Sequence, residues 1–298
     1  MEKAQKPAKI KSSFSVARFL SLIFFILYTF TILFMFGWAF INAVKDPLMY
    51  YSDSWNIPSA PTLENFFTAY DYFRYPITDE HGVWYAKLPD MFLNSVLYAG
   101  GGALASCITI AITAYLTARF PYKLSKIIYM VCFVALILPI IGNLPSQLQI
   151  AKALGLYDSI VGMWIMRANF LSTYYLIFHA FFSSIPQSYF EAAKIDGANN
   201  WQILVHIAIP FAIKLFTAVY ILVFIGMWND YETPNLWLPS HPVLSVGLLR
   251  FSESTEGAVS SMPVQLAGAL IVSFPAFLLF FVFRDTLVGN VTLGGLKE

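Results

Sequence analysis

Six predominantly apolar runs restrict this chain more than any other feature. They lie at residues 19–44, 91–118, 125–144, 160–182, 207–228 and 264–283. Each has roughly the 20 residues that a helix needs to cross the hydrocarbon core of a bilayer. Lipid offers no hydrogen-bond partners, so a spanning segment must satisfy its own backbone, and a helix does so internally. The expectation is an all-α membrane protein with six transmembrane helices. Charged residues make up 12% of the chain, about half their share in soluble domains. A net charge of +1 gives no field to recruit nucleic acid or an acidic partner. Cys107 and Cys132 both fall inside apolar runs; they read as packing thiols rather than a disulfide or metal pair.

A basic leader, residues 1–18, carries Lys3, Lys6, Lys9, Lys11 and Arg18 ahead of the first run. That run is roughly twice the apolar core of a signal peptide and no small-residue cleavage site follows, so it reads as a retained span. The membrane domain then occupies 19–285 and a tail 286–298. With the leader inside, Arg119, Lys123, Lys126, Lys194, Lys214, Arg284 and Lys297 fall on the same side, while the first outer loop is rich in acids. The positive-inside bias therefore places both termini, and the polar stretch 186–210, in the cytoplasm.

Gly101, Gly102, Ala105 and Ser106 are small residues at helical spacing. They predict close approach to a neighbouring helix, the alternative being a flexible helix start. Pro139, Pro145 and Pro275 lie in or beside runs, where freed carbonyls need protein or a watery cavity around them. Arg167 sits within the fourth run. A lipid-facing arginine near mid-membrane costs about 2.5–3.5 kcal/mol on insertion scales, so it should face a partner helix or a wet cavity. Asn169 and Asn143 follow the same logic.

Between two of these runs stands "EAAKIDGANNWQILVHIAIP", residues 191–210, too polar for lipid and too short for a domain. Ser188 followed by Glu191 has the spacing of a capping box, as does Asn199 followed by Gln202. Gly197 suits a left-handed helix stop. The pattern predicts a short helix over 189–196, a turn at Gly197, and a second helix running into the fifth span. Ala192 and Ala193 give it a low-relief face flanked by Tyr189, Phe190 and Ile195, the shape of a helix that inserts into a groove. A helix resting on lipid fits poorly, because two acids would face an anionic leaflet.

These residues resemble a known family. Glu191-Ala192-Ala193, then Gly197, then Ile207 and Ile209-Pro210 match the EAA loop of bacterial ABC importer permeases, with Ile209 where leucine is usual. "PTLENFFTAY" (61–70), "FLNSVLYAG" (92–100), "AYLTARF" (114–120), "ALGLYDS" (153–159), "WNDY" (228–231) and "TLGGLKE" (292–298) extend the likeness along nearly the whole chain. It is similar to the G-type subunit of maltose-like importers. The resemblance implies a six-helix permease that pairs with a homologous second permease as a heterodimer. It further implies a dimeric cytoplasmic ATPase that holds ATP and Mg, an extracellular or periplasmic solute-binding protein, a sugar substrate and a bacterial cytoplasmic (inner) membrane. Glu191, Ala192, Ala193, Asp196, Gly197, Ile207 and Pro210 would form the coupling element on the ATPase. Gly294, Gly295 and Lys297 in the tail would contact it too. The chain departs from the family pattern at Glu298, where glycine is common, and at Leu215, where a second proline is frequent.

Substrate-pathway candidates are Arg167, Asn169, Asn143, Trp228 and Asn229. Amides and an indole face suit hydroxyls and sugar rings, but Arg167 serves equally as an inter-subunit pair and Trp228 as an interfacial anchor. No G-x-x-x-x-G-K-[ST], H-E-x-x-H or G-x-S-x-G stretch is present. The sequence therefore predicts a non-catalytic chain with no cofactor or metal of its own. A stand-alone secondary transporter or channel is the alternative, and it would need coupling carboxylates inside the spans. A membrane enzyme or assembly factor is a third reading, without a catalytic constellation to support it.

Overall fold

The computed structural model describes residues 16–79, 82–138 and 142–291. Three helices, α1 (Val16–Ala43), α2 (Pro47–Ser52) and α3 (Glu64–Tyr72), lead to a hairpin of strands β1 (Arg74–Asp79) and β2 (Gly82–Lys87). The strands are antiparallel, with Arg74 opposite Lys87. Next come α4 (Leu88–Arg119), α5 (Lys123–Ile137), α6 (Leu144–Ala153), α7 (Ile160–Arg167) and α8 (Thr173–Ser184). Two short helices, α9 (Gln187–Ile195) and α10 (Asn200–Ile203), pass through a π-helical turn (Leu204–Ala208) into α11 (Ile209–Asn229). Finally, α12 (Glu232–Trp237) and α13 (Leu244–Ser252) precede α14 (Met262–Val291).

Among the described residues four helices are long and apolar enough to cross a membrane: Arg18–Ala43, Leu88–Arg119, Asn200–Asn229 and Met262–Arg284. They correspond to the first, second, fifth and sixth apolar runs. The third run yields the shorter α5, and Pro139 beyond it lies outside the described residues. The fourth run is not one helix. Helix α7 stops at Ala168, and Ser172 starts α8, its hydroxyl accepting from the Tyr174 N–H at 3.3 Å. Arg167, Asn169 and Ser172 interrupt an otherwise apolar sequence, and short polar side chains compete for the backbone groups that a continuous helix would use. Segments expected as loops also contain structure: α6 follows Asn143, α12 and α13 precede α14, and the hairpin adds strands to a largely helical fold.

Helix α4 is the central post, packed against α7, α8 and α11. The glycines predicted to allow close approach do so. A Cβ on Gly101 would lie 2.1 Å from the Trp164 ring, and one on Gly102 would lie 2.4 Å from Met227 Cε. Trp164 completes the contact by donating its Nε1–H to the Leu97 carbonyl at 2.9 Å. Two apolar clusters are stacked along α4 and α11. One gathers Tyr98, Ala99 and Ala103 with Phe73, Ile77, Trp237 and Phe251; the other gathers Cys107, Ile110 and Tyr115 with Tyr175, Phe178 and Phe190. Both cysteines are buried free thiols. Helix α1 packs mainly on α14 and leaves most of its side chains exposed, as a lipid-facing helix must.

Beyond α1 the chain folds back on itself. Lys45 is fully buried, its Nζ donating to the Asp53 carbonyl at 3.1 Å. The Asn65 amide donates to the carbonyls of Ala43 (2.8 Å) and Lys45 (2.6 Å). Backbone N–H groups of Trp55 and then Asn56 hold the Asp53 carboxyl below the usual carboxylate range.

Candidate functional site

The Glu191 segment forms the predicted helix, but begins earlier than expected. Helix α9 starts after Pro186 with no side-chain cap, so the Ser188–Glu191 capping box is absent. Ser188 sits inside the first turn rather than at its entrance, where it has no free N–H to receive from three residues on. The end matches expectation: Gly197 takes φ +83°, a left-handed conformation that favours glycine. The second box forms in full. Asn199 Oδ1 accepts from the Gln202 N–H at 2.9 Å, and Gln202 Oε1 accepts from the Asn199 N–H at 2.8 Å. Pro210 lies inside the continuous helix Asn200–Asn229, directly after the π-helical turn, whose wider winding stands where a proline without an N–H interrupts the regular bonding.

One side of this segment is anchored and the other is bare. Phe190 is buried beneath the Arg119 guanidinium, 4.0 Å from its ring centre. Glu191 and Ala192 are exposed, Ile195 is 86% exposed and Trp201 70%. Ala193, Asp196, Gly197 and Ile207 line a cavity of about 330 Å³, together with Gln202 and His206. Six of the seven predicted coupling residues thus share one ledge and its cavity, with Pro210 at the junction to α11.

The pathway candidates separate. Arg167 ends α7 and pairs within the chain: its Nη2 lies 3.0 Å from Asp230 Oδ2, 3.3 Å from the Tyr98 hydroxyl and 3.2 Å from the Thr233 hydroxyl. Asp230 also accepts from Tyr98 at 3.3 Å and from the Thr233 N–H at 3.0 Å. Arg167, Asp230 and Asn169 line a cavity of about 420 Å³ with Ser106, Ser172 and Tyr174. Asn143 is exposed at the start of α6 and is not among the residues lining it. Trp228 is buried, stacked on Phe224 at 5.6 Å with the edge of Phe92 at 6.1 Å. Most of its surface is taken up by this packing, and what remains lines a cavity of about 270 Å³ with Tyr231 and Ser245. Asn229 turns its amide back to the Ile225 carbonyl at 2.9 Å and lines the same cavity as Trp228, distinct from that of Arg167. Tyr98, Asp230 and Thr233 were missed as members of the Arg167 cluster. The signal was Arg167 itself, which required an acceptor in an apolar setting.

Among the described residues no cluster of three His, Cys, Asp or Glu side chains is arranged to hold a metal. The tail candidates Gly294, Gly295 and Lys297 lie outside the described residues.

The family model for the binding-protein-dependent transport system inner membrane component matches residues 107–291. The chain belongs to this family. The matched part of the permease runs from the middle of α4 through the Glu191 segment and the Arg167 cleft to α14. The permease is 26% identical over 266 residues to the diacetylchitobiose uptake system permease protein NgcG of Streptomyces coelicolor, covering 86% of this chain and 82% of that protein. It is 23% identical to the melibiose/raffinose/stachyose import permease protein MelC of Bacillus subtilis, over 83% of this chain and 85% of that one. With the trehalose transport system permease protein SugB of Mycobacterium tuberculosis, identity is 25% over 87% and 90%. Its fold also matches the crystal structure of a bacterial ABC transporter involved in the import of the acidic polysaccharide alginate. There the TM-score is 0.74 at 20% identity, covering 92% of this chain and 98% of that one. As the membrane component of a binding-protein-dependent importer, the permease is non-catalytic. ATP hydrolysis belongs to a separate subunit, and solute capture to a binding protein.

Proposed function

We propose that this permease forms half of the translocation pathway of a saccharide importer and that the Glu191 segment is the seat for its ATPase. The observation that carries the coupling role is the two-sided build of α9. Phe190 is fixed under Arg119 while Glu191, Ala192 and Ile195 stand exposed beside the Gly197 turn. A rigid ledge with bare apolar side chains suits a groove in another protein. The printed substrates of the relatives, diacetylchitobiose and the melibiose series among them, support saccharides as the solute class.

In this reading the other half is a homologous permease, and ATP and Mg reside on a dimeric ATPase in the cytoplasm. Both termini and the Glu191 segment face that side of the bacterial inner membrane, and the tail with Gly294, Gly295 and Lys297 reaches toward the same subunit. ATP binding closes the ATPase dimer, which moves the seated ledge and tilts the spans; differential affinity for two permease states supplies the drive. The Arg167–Asn169–Asp230 cleft would offer the passing solute charged and amide hydrogen-bonding groups.

The test is ATP-driven uptake in proteoliposomes that hold the whole transporter. The double variant Glu191→Ala, Gly197→Asp is expected to abolish uptake while the permease pair remains assembled. Uptake at the wild-type rate would remove the coupling role.

A further inference from the structure

Arg119 joins the ends of three helices. It ends α4, yet its guanidinium reaches the end of α8 and the start of α9. Nη2 donates to the Ile185 carbonyl at 2.5 Å, and Nη1 to Gln187 Oε1 at 3.3 Å, while the flat face covers the Phe190 ring at 4.0 Å. Ile185 is the residue at which α8 stops, and the last carbonyls of a helix have no partner inside it. One planar side chain thus meets an orphan acceptor, a side-chain amide and an aromatic face at once. A lysine has a single compact charge and cannot reproduce that geometry.

The arrangement is a costly way to fill space. Nε of Arg119 is buried with no hydrogen-bond partner among the described residues, and burying an incompletely paired charged group carries a penalty. Phe190 alone would seat α9 against the apolar cluster. What the arginine adds is a directed, stiff connection to α4, the helix against which α7, α8 and α11 all pack.

We propose that Arg119 is a positioning residue that makes α9 and the end of α4 move as one body, so that displacement of the Glu191 segment reaches the central post directly. The inference rests on the coupling reading above and adds the route by which force enters the bundle. Without Arg119, α9 would be held by the Ile185–Pro186 link, the Phe190 contact, Tyr189 against Phe211 at 5.3 Å and the Gly197 turn into α10, connections that lead to α8 and α11, and it would shift before α4 responded.

The experiment uses the complete transporter in proteoliposomes, with nitroxide labels at Lys194→Cys on α9 and Leu116→Cys on α4. Distances between them are measured by pulsed electron spin resonance without nucleotide and after trapping with ATP and vanadate. With Arg119 present, the distance is expected to stay constant through trapping. In Arg119→Lys it is expected to change by several ångströms on trapping, with ATP hydrolysis retained. Phe190→Leu keeps the buried apolar volume but removes the ring face, and should give a smaller change in the same direction. It decides the matter if the lysine variant does not assemble. A constant distance in assembled Arg119→Lys, or in Phe190→Leu where the lysine variant does not assemble, overturns the inference. The coupling reading has its own readout, since the label at position 194, beside the seat, should be immobilised when the ATPase binds. Immobilisation with no loosening in the variants sinks the Arg119 role alone, whereas a label that stays mobile sinks the seat itself.

Discussion

The hairpin end of the molecule encloses a packed core within its own chain, whereas the Glu191 segment is a thin ledge held from one side. At the first, Phe73 packs on Phe251 at 5.0 Å, Ile77 and Trp237 are buried, and Lys45 is withdrawn completely from solvent. At the second, one aromatic anchor holds a short helix whose neighbours Ile195 and Trp201 stay exposed. Both ends share α4 and α11 and both carry exposed apolar side chains, Leu48, Trp55, Ile57 and Phe67 among them at the first, so the contrast lies in what stands beneath the surface. In the coupling reading proposed above the Glu191 ledge is completed by the ATPase, because exposed apolar side chains clustered on a rigid element mark an interaction site.

The largest expected effect separates two tryptophans that are alike in sequence character. Trp237→Ala should destabilise the permease by about 3–5 kcal/mol, since Trp237 is 4% exposed in the hairpin-end core. The thermal midpoint of the purified protein reads this directly. Asp230→Asn comes next. It leaves Arg167 without its counter-charge, but both side chains are partly solvated at 36% and 21% exposure. The loss is therefore about 1–2 kcal/mol rather than that of a sealed pair, and adding Arg167→Gln should restore most of it. Asn199→Ala removes a formed capping box at the Glu191 end and should cost about 1 kcal/mol, with a fall in ATPase co-purification. Trp201→Ser should change stability by less than about 0.5 kcal/mol while weakening that same co-purification. Equal thermal losses for Trp237→Ala and Trp201→Ser would break the contrast between the ends.

Much of this was legible because it depended on local chemistry. Four long spans followed from apolar length, and the Asn199 box and Gly197 turn followed from residues that must adopt those conformations. The small residues at Gly101 and Gly102 were read correctly as a contact, although only the structure showed Trp164 and Met227 filling it. What escaped the sequence depended on distant parts of the chain. Nothing near Arg167 announced Asp230, which is 63 residues away. Arg119 read as a charge that sets membrane orientation, and its contact with Phe190 required the folded end of α8. The break after Arg167 hid because the apolar stretches on either side of its few polar residues together had the length of one span. The hairpin hid because its strands are six residues each, short enough to pass for an ordinary polar loop beside runs several times their length.

The π-helical turn at Leu204–Ala208 has an angular consequence. Each α-helical residue advances the chain by about 100° around the axis, and a wider turn absorbs one residue more than a regular helix would. Everything before it is therefore re-phased relative to α11, so Trp201 points along a bearing that unbroken helical winding back from Pro210 would not give. Excising Val205 would let the turn close into regular winding with the ledge near its present bearing, whereas excising Ala218 from the regular part of α11 would swing the ledge by about 100°. The importer would keep its parts and lose their compass heading.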